Sequence, residues 1–125
     1  MAQPGDVLLQ PTSGRRLIFR RTAARTGGRV LECAVYYRGR ESPLLEHVHA
    51  DQEHQIEVLQ GALLVSLCGR TQRLEPGDVL LVSAGQSHAI WNASDAPAHA
   101  IWHTFPAGQT EAKLESEWLR EPVRS

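Results

Sequence analysis

The sequence predicts an all-β chain, an antiparallel sandwich or barrel with one short C-terminal helix. Three observations lead there. Apolar runs are short and closely spaced, with Gly, Pro and Asn between them, as strands joined by tight turns require. Leu31, Cys33, Val35 and Tyr37 alternate with other residues at period two, the pattern of a half-buried strand. Only the segment after Thr110 carries a helical apolar stripe, in Leu114, Trp118 and Leu119. A chain of 125 residues buries one sizeable core and not two, so residues 1–125 are read as a single domain.

Taken in order, Gly5 to Leu9 and Arg16 to Arg20 read as two strands at a sheet edge, bounded by Pro11, Ser13 and Gly14. Gly27-Gly28 marks a turn. Val30 to Arg38 is a third strand, with Glu32 and Tyr36 on its second face, and Gly39 to Pro43 is a loop. Leu44 to His49 and His54 to Gln60 follow as strands. Gly61 stands where a reversal needs positive φ, and Ala62 to Cys68 is apolar enough to be covered on both faces. Thr71 to Leu74 and Val79 to Val82 are strands on either side of the turn Glu75-Pro76-Gly77-Asp78. His88 opens a strand bracketed by Gly85 and Asn92, and Pro97 to Phe105 is the last one. Thr110 caps a helix over about 110–121, Glu111 suits its positive end, and Pro122 stops it.

A net charge of -1 leaves no electrostatic footprint for nucleic acid or an anionic membrane. The basic patch Arg15, Arg16, Arg20, Arg21 and Arg25 is read as a solvated, charge-protected edge. No apolar run approaches the length of a membrane span, and Met1 to Asp6 lacks the charged and apolar regions of a signal peptide. The expectation is a soluble, cytoplasmic protein. Cys33 and Cys68 lie in apolar segments without metal or redox spacing and are read as buried, reduced thiols.

The chemistry concentrates in histidine. In a strand, residues two apart point the same way, so His47 and His49 put two imidazoles on one face, and His54 and His88 each open a further apolar run. Neutral imidazole is a ligand for zinc, copper, iron and nickel. His99 and His103 share a face with Ile101 and Phe105 and are read as solvated rather than pocket residues. Trp91, Trp102, Phe105, Tyr36 and Tyr37 are the large side chains expected to fill or line the interior, which would then suit an apolar or aromatic small molecule. Glu46, Asp51 and Glu53 either accept hydrogen bonds from ligand imidazoles or stand exposed at a strand end. No Ser-His-Asp order, phosphate loop or paired-carboxylate motif is present.

These residues resemble the cupin superfamily, in particular its small single-domain, conserved-barrel members. His47-Val48-His49, His54 and Gly61 keep the spacing of the first cupin motif, with Gly39 slightly too far upstream. Gly77, Gly85, His88 and Asn92 match the second, with Ser83 where proline is usual. The resemblance runs from about 39 to 105 and implies a double-sheet jelly-roll β-barrel. One departure stands out: His54 occupies the place of the family's metal-binding Glu, with Glu53 just before it. Alternation favours His54, because it then shares its face with Ile56 and Val58, whereas an inward Glu53 would carry Gln55 and Glu57 inward. The expected metal ligands are therefore His47, His49, His54 and His88, around one divalent ion: zinc, iron, nickel or copper. What the resemblance implies for activity is, first, a metal-dependent dioxygenase-type oxidoreductase. The alternatives are a zinc-dependent cyclase or isomerase, and a small-molecule-binding cupin without turnover. A homodimer is expected, since a small barrel must cover its strand edges.

Overall fold

A computed structural model describes residues 2–121. Ten strands form two antiparallel sheets. The larger contains β1 (Val7–Leu9), β2 (Arg16–Arg21), β3 (Leu31–Tyr37), β4 (Glu53–Gln60), β7 (Val79–Val82), β9 (Ala98–Phe105) and β10 (Leu119–Arg120), in the order β10-β1-β2-β3-β9-β4-β7. The smaller contains β5 (Leu63–Leu67), β6 (Arg70–Leu74) and β8 (His88–Trp91), in the order β6-β5-β8. Helix α1 (Ala23–Thr26) is a single turn after β2, and α2 (Thr110–Glu117) follows β9. The two sheets are the antiparallel sandwich that the strand pattern predicts, in the jelly-roll architecture that the resemblance implies.

The core lies between the sheets; burial follows period two in β4 and β5, while β3 is buried on both faces except at Tyr36 and β8 is buried throughout. Leu31, Cys33, Val35 and Tyr37 of β3 are all buried, and so are Ile56 and Val58 of β4 and Leu63 and Val65 of β5. Tyr37 pairs with Ala98 and Val35 with Ala100, so large residues on one strand face small ones on its neighbour. Phe19 is wholly buried on β2. Gly61 turns β4 into β5 at φ 73, and a Cβ there would lie 2.5 Å from the Pro97 carbonyl oxygen, so both the conformation and the close approach require glycine.

Several expectations are corrected. Leu44 to His49 is not a strand; His47 alone makes a β-bridge, to His88. The helix ends at Glu117 rather than near 121, because Trp118 turns extended (φ -105, ψ 153) and is buried. Leu119 and Arg120 then pair with Leu9 and Leu8, so β1 is covered by β10 instead of forming an edge. The proposed stop at Pro122 lies outside the described residues. Cys68 is exposed, in the β5–β6 turn with φ 48, whereas Cys33 is buried as expected. Leu64 and Ser66 are only half-buried, so β5 is covered fully on one face and partly on the other. Tyr36 is 41% exposed and faces outward with Phe105, opposite to the barrel-lining role expected of both. Arg15 is no solvated edge residue: it is buried, donates to both Glu41 carboxylate oxygens at 2.7 and 2.8 Å and to the Ile90 carbonyl at 3.1 Å, and lies 4.7 Å from the Tyr37 ring centre. Among the described residues no helix is long and apolar enough to cross a membrane.

Candidate metal centre

The centre begins with a backbone pairing. His47 and His88 exchange two hydrogen bonds of 2.9 Å each, the closely bonded type of antiparallel pair, whose side chains share a face. Their ring centres lie 4.5 Å apart. His49, two residues along, presents its ring to the same side, 4.8 Å from His47. The fourth ring comes from the other sheet. His54 pairs with Thr104 of β9 and Val82 of β7, shares the inward face with Ile56 and Val58, and stands 4.6 Å from His49 and 5.4 Å from His88. Donor atoms of His47, His49 and His88 all lie within 4.8 Å of one another, an arrangement able to hold a metal ion. His54 lies beside this triad rather than within it.

Hydrogen bonds prepare two of the rings. The His88 Nδ1 is 3.1 Å from the Gln86 carbonyl oxygen and, since a carbonyl only accepts, Nδ1 is the donor there. The His54 Nδ1 is 3.2 Å from Thr104 Oγ1, and its Nε2 is buried with no hydrogen-bond partner. An orphaned buried nitrogen is costly unless something binds it. Partial desolvation, followed by the repulsion of neighbouring rings, pushes His54 down to about 4. His47 is also pushed down to about 4, by desolvation and then by His88 and His49, although it stands exposed at the mouth. His49 is lowered by desolvation and then by His88 and Lys113. At neutral pH these three are uncharged, which is the ligating form, and an all-imidazole donor set fits a borderline-soft divalent ion.

The segment carrying His47 and His49 is tied down by side chains. The Glu46 carboxylate accepts from Ser66 Oγ, from Ser87 Oγ at 2.7 Å and from the Gly69 N–H at 2.8 Å, and these bonds hold it below the usual carboxylate range. The Gln52 amide donates to the carbonyls of Pro106 and Ala107 at 3.1 and 2.9 Å and bonds Thr110 Oγ1 at the start of α2. Asp51 and Glu53 are exposed, so the carboxylates considered as partners for the imidazoles act elsewhere or not at all. His99 stacks on Tyr36 and its Nδ1 is 3.1 Å from the Val35 carbonyl oxygen, while His103 bonds Glu32 at 2.7 Å and borders the cavity; both are half-buried rather than solvated as expected. Thr104 was legible from the alternation of β9, but nothing in the sequence marks Gln52, whose partners lie more than 50 residues away.

A cavity of about 230 Å³ adjoins the four rings, walled by Leu31, Cys33, Ile56, Ile90 and Trp102 and bordered by α2. Burial pushes the Cys33 thiol far up, so it stays protonated. A larger cleft of about 580 Å³ lies near Tyr36, Arg38 and His99, away from this chemistry.

Residues 34–104 match the family described as the cupin domain. Over 61 residues the chain is 33% identical to the tetracenomycin polyketide synthase protein TcmJ of Streptomyces glaucescens, a match covering 49% of this chain and 41% of that protein. A sugar phosphate isomerase of the cupin superfamily from Silicibacter pomeroyi is similar at 25% identity and TM-score 0.62, over 74% of this chain and 59% of the other. A predicted oxalate decarboxylase from Thermotoga maritima, at 15% identity, shares the fold with TM-score 0.71, over 83% of this chain and 94% of that one. The chain thus spans well under two thirds of the first two relatives.

Proposed function

The chain belongs to the cupin family, and from that premise we propose that it is a metal-dependent cupin acting on a small apolar or aromatic molecule. The observation that carries this reading is the convergence of His47, His49, His54 and His88 from both sheets beside an apolar cavity, with the His54 Nε2 left without a partner. These four residues would hold the ion. A divalent ion bound there supplies Lewis acidity, and iron or copper would add electron transfer. The protein's own contribution is to keep the imidazoles neutral, to fix the His88 ring through Gln86, to orient His54 through Thr104, and to keep water from the apolar wall.

Two chemistries share this donor set. The non-redox one, a zinc-dependent cyclase or isomerase, has the added support of similarity to a polyketide synthase protein and to a sugar phosphate isomerase. The dioxygenase-type reading rests on the donor set alone. Elemental analysis of protein purified without an affinity tag tests them: zinc is expected for the first, iron or copper for the second, and absence of any transition metal overturns both in favour of a binding module.

We also infer a homodimer. With β1 covered by β10, the support comes from the opposite edge, where Leu59, Val79 and Leu81 are 44%, 54% and 52% exposed. Light scattering at micromolar concentration is expected to give twice the chain mass, and a monomer would contradict it.

A further inference from the structure

The cavity has an apolar body and one unspent cation. Most of its polar wall residues are committed, Arg15 to Glu41 and the Ile90 carbonyl, Thr104 to His54, and Thr110 to Gln52, while the buried ring nitrogens Trp102 Nε1, His103 Nδ1 and His54 Nε2 have no partner. Little is left to satisfy the hydroxyls of a polyol, which would lose its hydrogen bonds to water on entering. Lys113 differs. It borders the cavity from α2, and among the described residues no hydrogen bond or ion pair engages its ammonium. Glu117, one turn further along α2, is the acid at the cavity border and is exposed. A second feature points the same way: four imidazoles offer no carboxylate to offset a dication, so a loaded centre beside Lys113 would carry excess positive charge.

We propose that the cavity takes a compact aromatic acid, with its anionic group at Lys113 and its ring against Trp102 and Ile56, and that Lys113 selects the acid over its neutral analogue. The volume of about 230 Å³ lies below the common range of about 300–1,000 Å³ for small-molecule sites, which limits the ligand to one or two rings. This rests on the reading that the cavity is the small-molecule site, and it does not require the ion.

Calorimetric titration of 2-naphthoate, 2-naphthamide and glucose 6-phosphate into wild type and Lys113→Met tests it, in both zinc-loaded and EDTA-stripped protein. The stripped protein isolates Lys113 from direct capture of the carboxylate by zinc. There the wild type is expected to prefer naphthoate over naphthamide by about three- to fivefold, the scale of a solvent-accessible ion pair. Lys113→Met should erase that preference and leave naphthamide binding unchanged. Equal binding of acid and amide by the wild type, or a preference that survives Lys113→Met, overturns the proposal. Tighter binding of glucose 6-phosphate than of naphthoate overturns the aromatic part. Failure of both naphthalenes removes the cavity reading along with the proposal. Failure to load zinc, with the acid preference intact in stripped protein, defeats the metal reading alone and supports the role of Lys113.

Discussion

Three of the four imidazoles come from two differently built regions, and the fourth, His88, opens β8. His54 stands on β4, paired on both sides by β7 and β9, with Ile56 2% and Val58 0% exposed beside it. His47 and His49 stand on an irregular segment with a single β-bridge, where Leu44, Leu45 and Val48 are 45%, 91% and 55% exposed. The first region is fixed by ladder hydrogen bonds and burial. The second buries little and is held by side-chain clips: Glu41 to Arg15, Glu46 to Ser66, Ser87 and Gly69, and Gln52 to the start of α2. A centre built this way has two candidate ligands set by regular strands, His54 on β4 and His88 on β8, and two set by local polar contacts, so the two halves should fail differently.

The largest effect is expected where a clip is buried. The side chains of Arg15 and Glu41 are only 9% and 6% exposed, and removing one partner leaves an uncompensated charge inside the protein. Glu41→Ala should therefore cost about 3–5 kcal/mol in urea unfolding, the range for a broken buried pair. A loss below about 1 kcal/mol, the scale of a surface ion pair, would show that the clip is solvated and the comparison misdrawn.

Next comes Glu46→Ala. It frees the segment between His47 and the turn before His88 without removing a ligand, so zinc affinity should fall by about 10-fold or more, as for other residues that orient ligands. Amide exchange should quicken at 44–50 and stay unchanged in β4 and β9. Equal loss of protection in both regions would mean that they unfold as one unit.

These two regions also differ in how much the sequence revealed. The period-two pattern placed His54 inward with Ile56 and Val58, because a regular strand converts residue parity directly into face. The same rule, applied to Leu44 to His49, reached the right juxtaposition of His47 and His49 through a strand that does not exist. What orders that segment is contact with residues distant in sequence, and such contacts leave no local signature. Cys68 and Arg15 were misplaced for related reasons. The end of an apolar run proved to be a turn, and a lone arginine among exposed ones proved to have a buried carboxylate partner from a distant loop.

Acid acts on both regions at once. His47 and His54, one in each region, are held near 4 in the folded protein, while an unfolded chain protonates its imidazoles near about 6.5. Between those values the unfolded state binds more protons, so stability is full above about 6.5 and falls as pH drops toward 4. The melting temperature of EDTA-stripped protein should decline over that window. A flat profile would mean that the rings are protonated alike in both states.

The most direct test compares the zinc content of wild type, His54→Ala and Glu53→Ala after loading and dialysis. His54 lies inside with its Nε2 unpartnered, and Glu53 stands outside in solvent. This placement predicts stoichiometric zinc in wild type and Glu53→Ala, with affinity lowered by well over about 10-fold in His54→Ala, beyond what an orienting residue costs. Full zinc in His54→Ala together with none in Glu53→Ala would contradict it and put a carboxylate, not a fourth imidazole, at the centre.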